Sequence, residues 1–268
     1  MNGLLASAPV YYALVQIRFE PVASMAKYVN ELQDRLRKSG FPLYETEQTH
    51  ALSFFSAQNG DLTVPPVGVP MPMANTTPIW YFTSSDRSRG YVLSNDFITF
   101  QVTKYEGHEL FFKELLAGFQ LVNEVVSLGN ITRVGMRYLD AIIPKEEESI
   151  KDYLHSSVLG IEFGTDWLGG SWESAYKTKH GLLIAKVYRA ANAPVGTPID
   201  LQIKNLQLPE RFRSNTPVRH AVMDLDHYSD GTLPPDTKAL AESLNYLHEG
   251  VSDFFKALVT EHALERWK

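Results

Sequence analysis

The chain has 268 residues, 44% hydrophobic and 21% charged, which is enough to bury a core in one large domain or two smaller ones. Its 31 acidic and 25 basic side chains give a formal net charge of −6. That balance disfavours a nonspecific nucleic-acid binder, because such proteins present a basic face. The absence of cysteine excludes disulfides, thiolate zinc sites, iron–sulfur clusters and a cysteine nucleophile.

No segment has the pattern of a targeting or membrane sequence. Residues 1–9 carry no basic cluster, and their apolar stretch is too short for a signal peptide. No uncharged apolar run approaches the roughly 18 to 20 residues that a membrane helix needs. We therefore expect a soluble, cytoplasmic protein with no membrane partner.

The first half of the chain predicts a strand, a helix, several strands and a long helix. Residues 10–19 alternate apolar and polar side chains, as a strand does, and Pro21 ends them. Helical spacing follows over residues 25–36, with Ser24 as a plausible cap and Gly40 as the stop. The remaining segments are strands at residues 43–46, 51–56, 79–84, 91–94 and 98–105, and a helix at 109–128.

The second half repeats this order. Residues 131–143 predict a strand, 146–154 a short helix, and 236–267 the longest helix. Between them lie strand-like runs at residues 172–179, 182–190, 199–206 and 220–228.

Local matches between the halves indicate an internal duplication. Residues 17–19 (Ile-Arg-Phe) match residues 136–138 (Met-Arg-Tyr), and the apolar stripes of the two long helices also match. The sequence thus predicts an α+β fold of two tandem repeats, residues 1–129 and 130–268. Each repeat would be a strand, a helix, an antiparallel meander and a long helix. Chance repetition is the alternative, and the two sheets could fuse into one curved sheet or form two lobes.

Two regions are candidates for partner binding. Residues 59–77 contain a single charged side chain, are rich in proline and apolar, and include Pro65, Pro66, Val69 and Met71. Such a segment either packs flat over a sheet or contacts a partner. Trp167 and Trp172 flank a pair of glycines. An exposed ring at this place would indicate a ligand lid or a protein contact. The alternative is that both rings pack in the core.

Acidic residues cluster in one predicted strand. Asp224 and Asp226 project from the same face of it, with His220 in the same direction, whereas His227 points the other way. Such a set could bind a divalent cation, act as an acid/base pair, or form a polar face with ion pairs.

The duplication places Arg18 and Arg137 at equivalent positions. One interpretation is a pair of cross-strand ion pairs with the aspartates, and the other is a pair of guanidiniums that grip an anionic ligand between the repeats. On the second interpretation Arg18, Arg137, Asp224, Asp226 and His227 form the ligand site.

The common catalytic and cofactor motifs are missing from the sequence. It contains no phosphate-binding Gly-rich loop, no Gly-x-Ser-x-Gly and no His-Glu-x-x-His. We expect no cofactor and no metal, and catalytic residues stay unassigned.

Three segments resemble a known family: residues 9–19 (PVYYALVQIRF), 133–139 (RVGMRYL) and 223–228 (MDLDHY), the last before a helix that carries Leu247 and His248. They fall in the order seen in a sporadically distributed family of uncharacterised bacterial proteins of about this length. The resemblance implies no reaction, but patchy distribution suggests accessory genes such as phage-defence or toxin–antitoxin loci.

The sequence therefore favours a non-enzymatic protein-interaction module, an accessory component of antitoxin or phage-defence type, that binds a partner protein or further copies of itself. The alternative is a small anionic-ligand binder or hydrolase that uses the Arg/Asp/His cluster between the repeats.

Overall fold

A computed structural model of the protein describes residues 9–50, 76–161, 163, 166–201, 203–213 and 215–268. Within these residues the strands are β1 (Val10–Phe19), β2 (Leu43–His50), β3 (Thr76–Thr83), β4 (Arg89–Leu93), β5 (Phe97–Val102), β6 (Ile131–Ile142), β7 (Gly169–Lys177), β8 (Leu182–Ala193) and β9 (Val218–Leu233). The helices are α1 (Val29–Lys38), α2 (His108–Val126), α3 (Ile150–Tyr153), α4 (Glu210–Arg213), α5 (Thr237–Leu258) and α6 (Glu261–Arg266). None of these helices is long and apolar enough to cross a membrane.

One antiparallel nine-stranded sheet, in the order β2-β3-β4-β5-β1-β6-β9-β8-β7, forms the centre of an α+β fold. The first strand of each half of the chain lies in the middle, where β1 pairs with β6. Each half then adds its later strands outward, so both halves share a single sheet rather than forming two lobes. The strand predicted at residues 10–19 is β1 with the same bounds.

The long helices cover one face of this sheet. Alternate residues of β1, namely Ala13, Val15 and Ile17, are buried there together with inward-facing residues of α1, α2 and α5. A strand presents every second side chain to one face, so these three residues fix which face carries the main core. The helices α2 and α5 also contact each other, which joins the two halves above the sheet.

The opposite face is covered by a smaller apolar cluster and an irregular segment. Tyr11, Tyr12 and Leu139 pack there with Phe212 of α4. A register shift between Val10 and Tyr12 turns both tyrosines toward this face, as a β-bulge does. Residues 194–209, described except for 202 and here named the strap, lie over the same face.

Hydrogen bonds tie the strap to the first half of the chain. Thr103 Oγ1 donates to the carbonyl oxygen of Gln207 at 2.7 Å, and the Gln207 N–H donates to the carbonyl of Arg87 at 2.8 Å. Lys204 Nζ lies 2.6 and 2.7 Å from the two carboxylate oxygens of Glu47 in β2. The second half thus reaches across the sheet to its far side.

The prediction of a strand at residues 199–206 is wrong, because the described part of that segment belongs to the strap. Its apolar pattern is real, but Leu201, Ile203 and Leu206 pack onto the sheet face instead of pairing in a ladder. Pro194, Pro198 and Pro209 bound the segment and lack the N–H groups that a ladder needs.

The predicted terminal helix is two helices, and the predicted first cap is absent. The pattern at residues 236–267 breaks at Val259, which bridges to Leu154, and Thr260 caps α6 by accepting from the Ala263 N–H at 3.2 Å. Ser24 makes no side-chain capping bond and precedes a short 3-10 turn, Met25–Lys27. The short helix expected at 146–154 is only α3.

We expect Gly118→Ala to lower the free energy of unfolding by about 1–3 kcal/mol. Alanine is normally more favourable than glycine inside a helix. At Gly118 of α2, however, an added Cβ would lie 2.2 Å from the ring of Tyr91. Urea denaturation measures the effect, with Gly196→Ala as the control because nothing lies within 4 Å of its added Cβ. A stabilised Gly118→Ala variant would contradict the packing of α2 on β4.

Candidate functional site

Arg137 and Asp224 form a buried ion pair on the face under the strap. Arg137 Nε and Nη2 donate to Asp224 Oδ1 and Oδ2, both at 2.7 Å, in a bidentate arrangement. The Asp224 side chain is 2% exposed and that of Arg137 is 12% exposed. Adjacent central strands, β6 and β9, place the two residues diagonally across the ladder.

A third residue, Asp200 of the strap, completes the pairing of Arg137. Nη1 and Nη2 of the guanidinium donate to the Asp200 carboxylate at 2.8 and 3.1 Å. Burial alone would lower the pKa of Arg137, but the hydrogen bonds to Asp224 and Asp200 raise it above its ordinary value. The hydrogen bonds from Arg137 likewise lower the pKa of Asp200. Sequence reasoning missed Asp200, because its segment was assigned to a strand.

Asp226 lies directly opposite Arg137 in the β6–β9 register, yet the guanidinium donates its hydrogen bonds to Asp224 and Asp200 instead. Burial raises the pKa of Asp226 to about 6. No hydrogen bond or ion pair joins Asp226 to another of the described residues. The site therefore holds three carboxylates around one guanidinium that is already engaged by two of them.

Arg18 shares this face but does not join the cluster. It lies opposite Arg133, four residues along the β1–β6 ladder from the Leu14–Arg137 pair, or roughly 13 Å at 3.3 Å per residue. Its guanidinium pairs instead with Asp96 at 3.2 Å, where the two side chains are 45% and 33% exposed.

His227 lies on the helix face, as its strand position predicts. Its Nδ1 is 2.8 Å from the carbonyl oxygen of Leu247 in α5, and its Nε2 is 2.9 Å from Thr178 Oγ1. Burial lowers the pKa of His227. The five residues of the predicted ligand site are therefore split between two faces and two places on one face, and only Arg137, Asp224 and Asp226 come together.

The candidate metal ligands do not converge either. Within the described ranges, no group of three or more His, Asp or Glu side chains could hold a metal ion. His220 Nδ1 faces the carbonyl oxygen of Val218 at 3.0 Å, close to its own strand rather than to the aspartates.

The predicted partner-binding residues divide into a described and an undescribed set. Pro65, Pro66, Val69 and Met71 lie outside the described residues. Trp172, on β7, and Trp167, just before it, are partly buried against the main core.

Trp167 also lines a groove of about 760 Å³ between α3, the segment after it and the start of β7. Apolar side chains form much of its wall: Ile150, Leu154, Leu159, Ile161, Phe163, Trp167 and Leu168. Ile161, Phe163 and Leu168 are 93%, 86% and 83% exposed. Large apolar side chains that are this exposed and this close together are uncommon on a monomer surface.

The groove has a basic side. The guanidinium carbon of Arg189, on β8, lies 4.9 Å from the Trp167 ring centroid, and Arg219 of β9 also lines the groove. Burial lowers the pKa of Arg189. Sequence reasoning did not single out Arg189, because it belongs to no motif.

A second buried acid, Asp140 of β6, was also missed. It is 2% exposed, and its Oδ1 atom makes no hydrogen bond within the described part of the chain. Burial raises the pKa of Asp140 to about 7.

Comparisons with protein-family models, with curated proteins and with solved structures find no match to this chain.

We expect Arg137→Met to lower the free energy of unfolding by about 3–5 kcal/mol, because it leaves Asp224 buried without its counter-charge. Arg18→Met is the matched control. It breaks an exposed pair on the same face and should cost about 1 kcal/mol or less. Equal losses in urea denaturation would contradict the assignment of Arg137 as a buried structural cation.

Asp140 should make the protein less stable as the pH rises. Its folded pKa of about 7 lies above the ordinary 3.8, so between about pH 4 and 7 the folded state holds a proton that the unfolded state has lost. We expect Asp140→Asn to gain stability over the original protein as the pH rises from 5 to 8. The control is Asp34→Asn, whose exposed carboxyl has a lowered pKa and is ionised throughout that range. Urea denaturation at each pH tests this, and a pH-independent difference for Asp140→Asn would overturn it.

Proposed function

We propose that the protein is a non-enzymatic interaction module that binds a partner protein through the groove beside Trp167. The observation that carries this proposal is the exposure of Ile161, Phe163 and Leu168 next to a groove large enough for several side chains. Water around these residues is released when a partner covers them, which favours association.

The neighbouring ring supports this surface as the contact. Trp167 is partly buried against the main core, so one side of its ring is packed while it also lines the groove. An aromatic ring beside exposed aliphatic residues is typical of the residues that dominate binding energy at interfaces.

The alternative, a small anionic-ligand binder or hydrolase, lacks support from the cluster it would use. All three guanidinium nitrogens of Arg137 donate hydrogen bonds to Asp224 or Asp200. An incoming anion would have to displace a carboxylate and would meet Asp226 in addition.

We further propose that the fold is a duplication of residues 1–129 and 130–268 about the β1–β6 pair. The strand order supports it, because β5 follows β1 on one side of the centre and β9 follows β6 on the other. In both halves the strand next to the central one leads directly into the long helix, α2 or α5.

The proposed biological setting is an accessory system, of antitoxin or phage-defence type, in bacteria. It rests on the sequence resemblance to a sporadically distributed bacterial family and on the binding surface. The partner would then be a co-encoded protein, and a second copy of the chain is the other outcome of the test.

The original protein, purified gently from its own cells, should carry a partner at fixed stoichiometry in native mass spectrometry. We expect Leu168→Asp to abolish recovery of that partner. The substitution places a charge on the apolar surface. Ile199→Asp is the matched control, because Ile199 is fully exposed on the strap and does not line the groove. A bare monomer for the original protein, or equal recovery with Leu168→Asp, would contradict the proposal.

A further inference from the structure

Arg189 forms part of the wall of the groove beside Trp167. Its guanidinium stacks on Trp167, and a Cβ added at Gly160 or Gly170 would lie 3.5 or 3.4 Å from its Nη2 atom. The guanidinium therefore lies close to both glycines, between the segment after α3 and the start of β7. Stacking of a guanidinium on an aromatic face fixes its plane while its edge stays available to hydrogen-bond acceptors.

The hydrogen-bonding capacity of Arg189 is unused within the described residues. Its Nε atom is buried and has no hydrogen-bond partner there. Other described arginines, such as Arg35, Arg87 and Arg89, each lie within 4 Å of a carboxylate. A buried N–H without an acceptor is unfavourable, so this atom points to an acceptor that arrives from outside.

The charges around the groove favour an anion. Arg219 lines it as well and also has no carboxylate partner among the described residues, whereas Asp166 is the only described acidic side chain in the wall. This local excess of positive charge stands out in a chain with a net charge of −6. Electrostatic complementarity of this kind selects partners and sets their orientation.

We propose that Arg189, held by Trp167, receives the side-chain carboxylate of an aspartate or glutamate in an acidic, apolar segment of the partner protein. Arg219 adds a second positive charge, and apolar neighbours of that acid cover Leu168 and the aliphatic wall of the groove. This assignment rests on the proposed function and specifies the chemistry of the partner.

A protein segment fits the surface better than a small carboxylate does. A small anion would engage Arg189 but would leave Ile161, Phe163 and Leu168 in water, whereas a chain segment contacts both. The combination of a buried charged contact and adjacent apolar area is typical of interface hot spots.

The test uses the intact protein and a phage-displayed library of random twelve-residue peptides. We expect selection to enrich Asp or Glu next to Leu, Ile or Phe, and we expect synthetic versions of the enriched peptides to bind in calorimetry. Replacing the acid by its amide should weaken that binding at least tenfold. Enrichment of apolar peptides without an acid, or no enrichment, would overturn the assignment.

Variants locate the contact. Arg189→Gln should weaken binding of the acidic peptide at least tenfold, whereas Arg133→Gln should not, although Arg133 also stacks on a ring, 3.6 Å from the centroid of Tyr228. Urea denaturation of each variant confirms that it is folded. Binding by Arg189→Gln that equals binding by the original protein would overturn this inference. If Leu168→Asp still loses the partner while Arg189→Gln binds normally, the groove remains the proposed binding surface and only the role of Arg189 is wrong.

Discussion

The antiparallel pairing of β1 with β6 is the constraint on which the rest of the fold depends. It places one strand from each half at the centre, so all later strands of each half extend the sheet outward in opposite directions. The connections then bring α2 and α5 to the same face, where they contact each other. A sheet covered by helices on one side only leaves its other face open to water.

The strap covers that second face, and the Arg137–Asp224 pair helps to hold the strap in place. Asp224 sits at the centre of the sheet, where an unpaired carboxylate would be strongly destabilising. Arg137 neutralises it and, with its remaining N–H groups, holds Asp200 of the strap. Lys204 and Glu47 fasten the strap farther along, at the edge of the first half. Two of the charged residues that suggest a ligand site in the sequence, Arg137 and Asp224, thus help to join two layers of the protein.

The regular elements could be predicted because their patterns are local. The alternation over residues 10–19 and the apolar stripe of α2 identify a strand and a helix without knowledge of their neighbours. The strap could not be distinguished from a strand, because Leu201 and Ile203 alternate in the same way whether they face a sheet or belong to one. Asp140 and Arg189 were missed for a related reason: burial and stacking depend on residues distant in sequence.

The contrast between Arg137 and Arg189 explains why the groove, and not the central cluster, has the properties of a binding surface. Both guanidiniums are partly removed from water, yet Arg137 has two carboxylates within 3.1 Å, whereas Arg189 has an aromatic ring and a buried N–H that finds no acceptor among the described residues. Desolvation without a counter-charge is unfavourable in the isolated protein and is relieved when an anion arrives. The exposed apolar side chains beside Arg189 also favour association, because a second surface is needed to bury them. Both unsatisfied features lie beside the edge strand β7, at the end of the sheet farthest from β2.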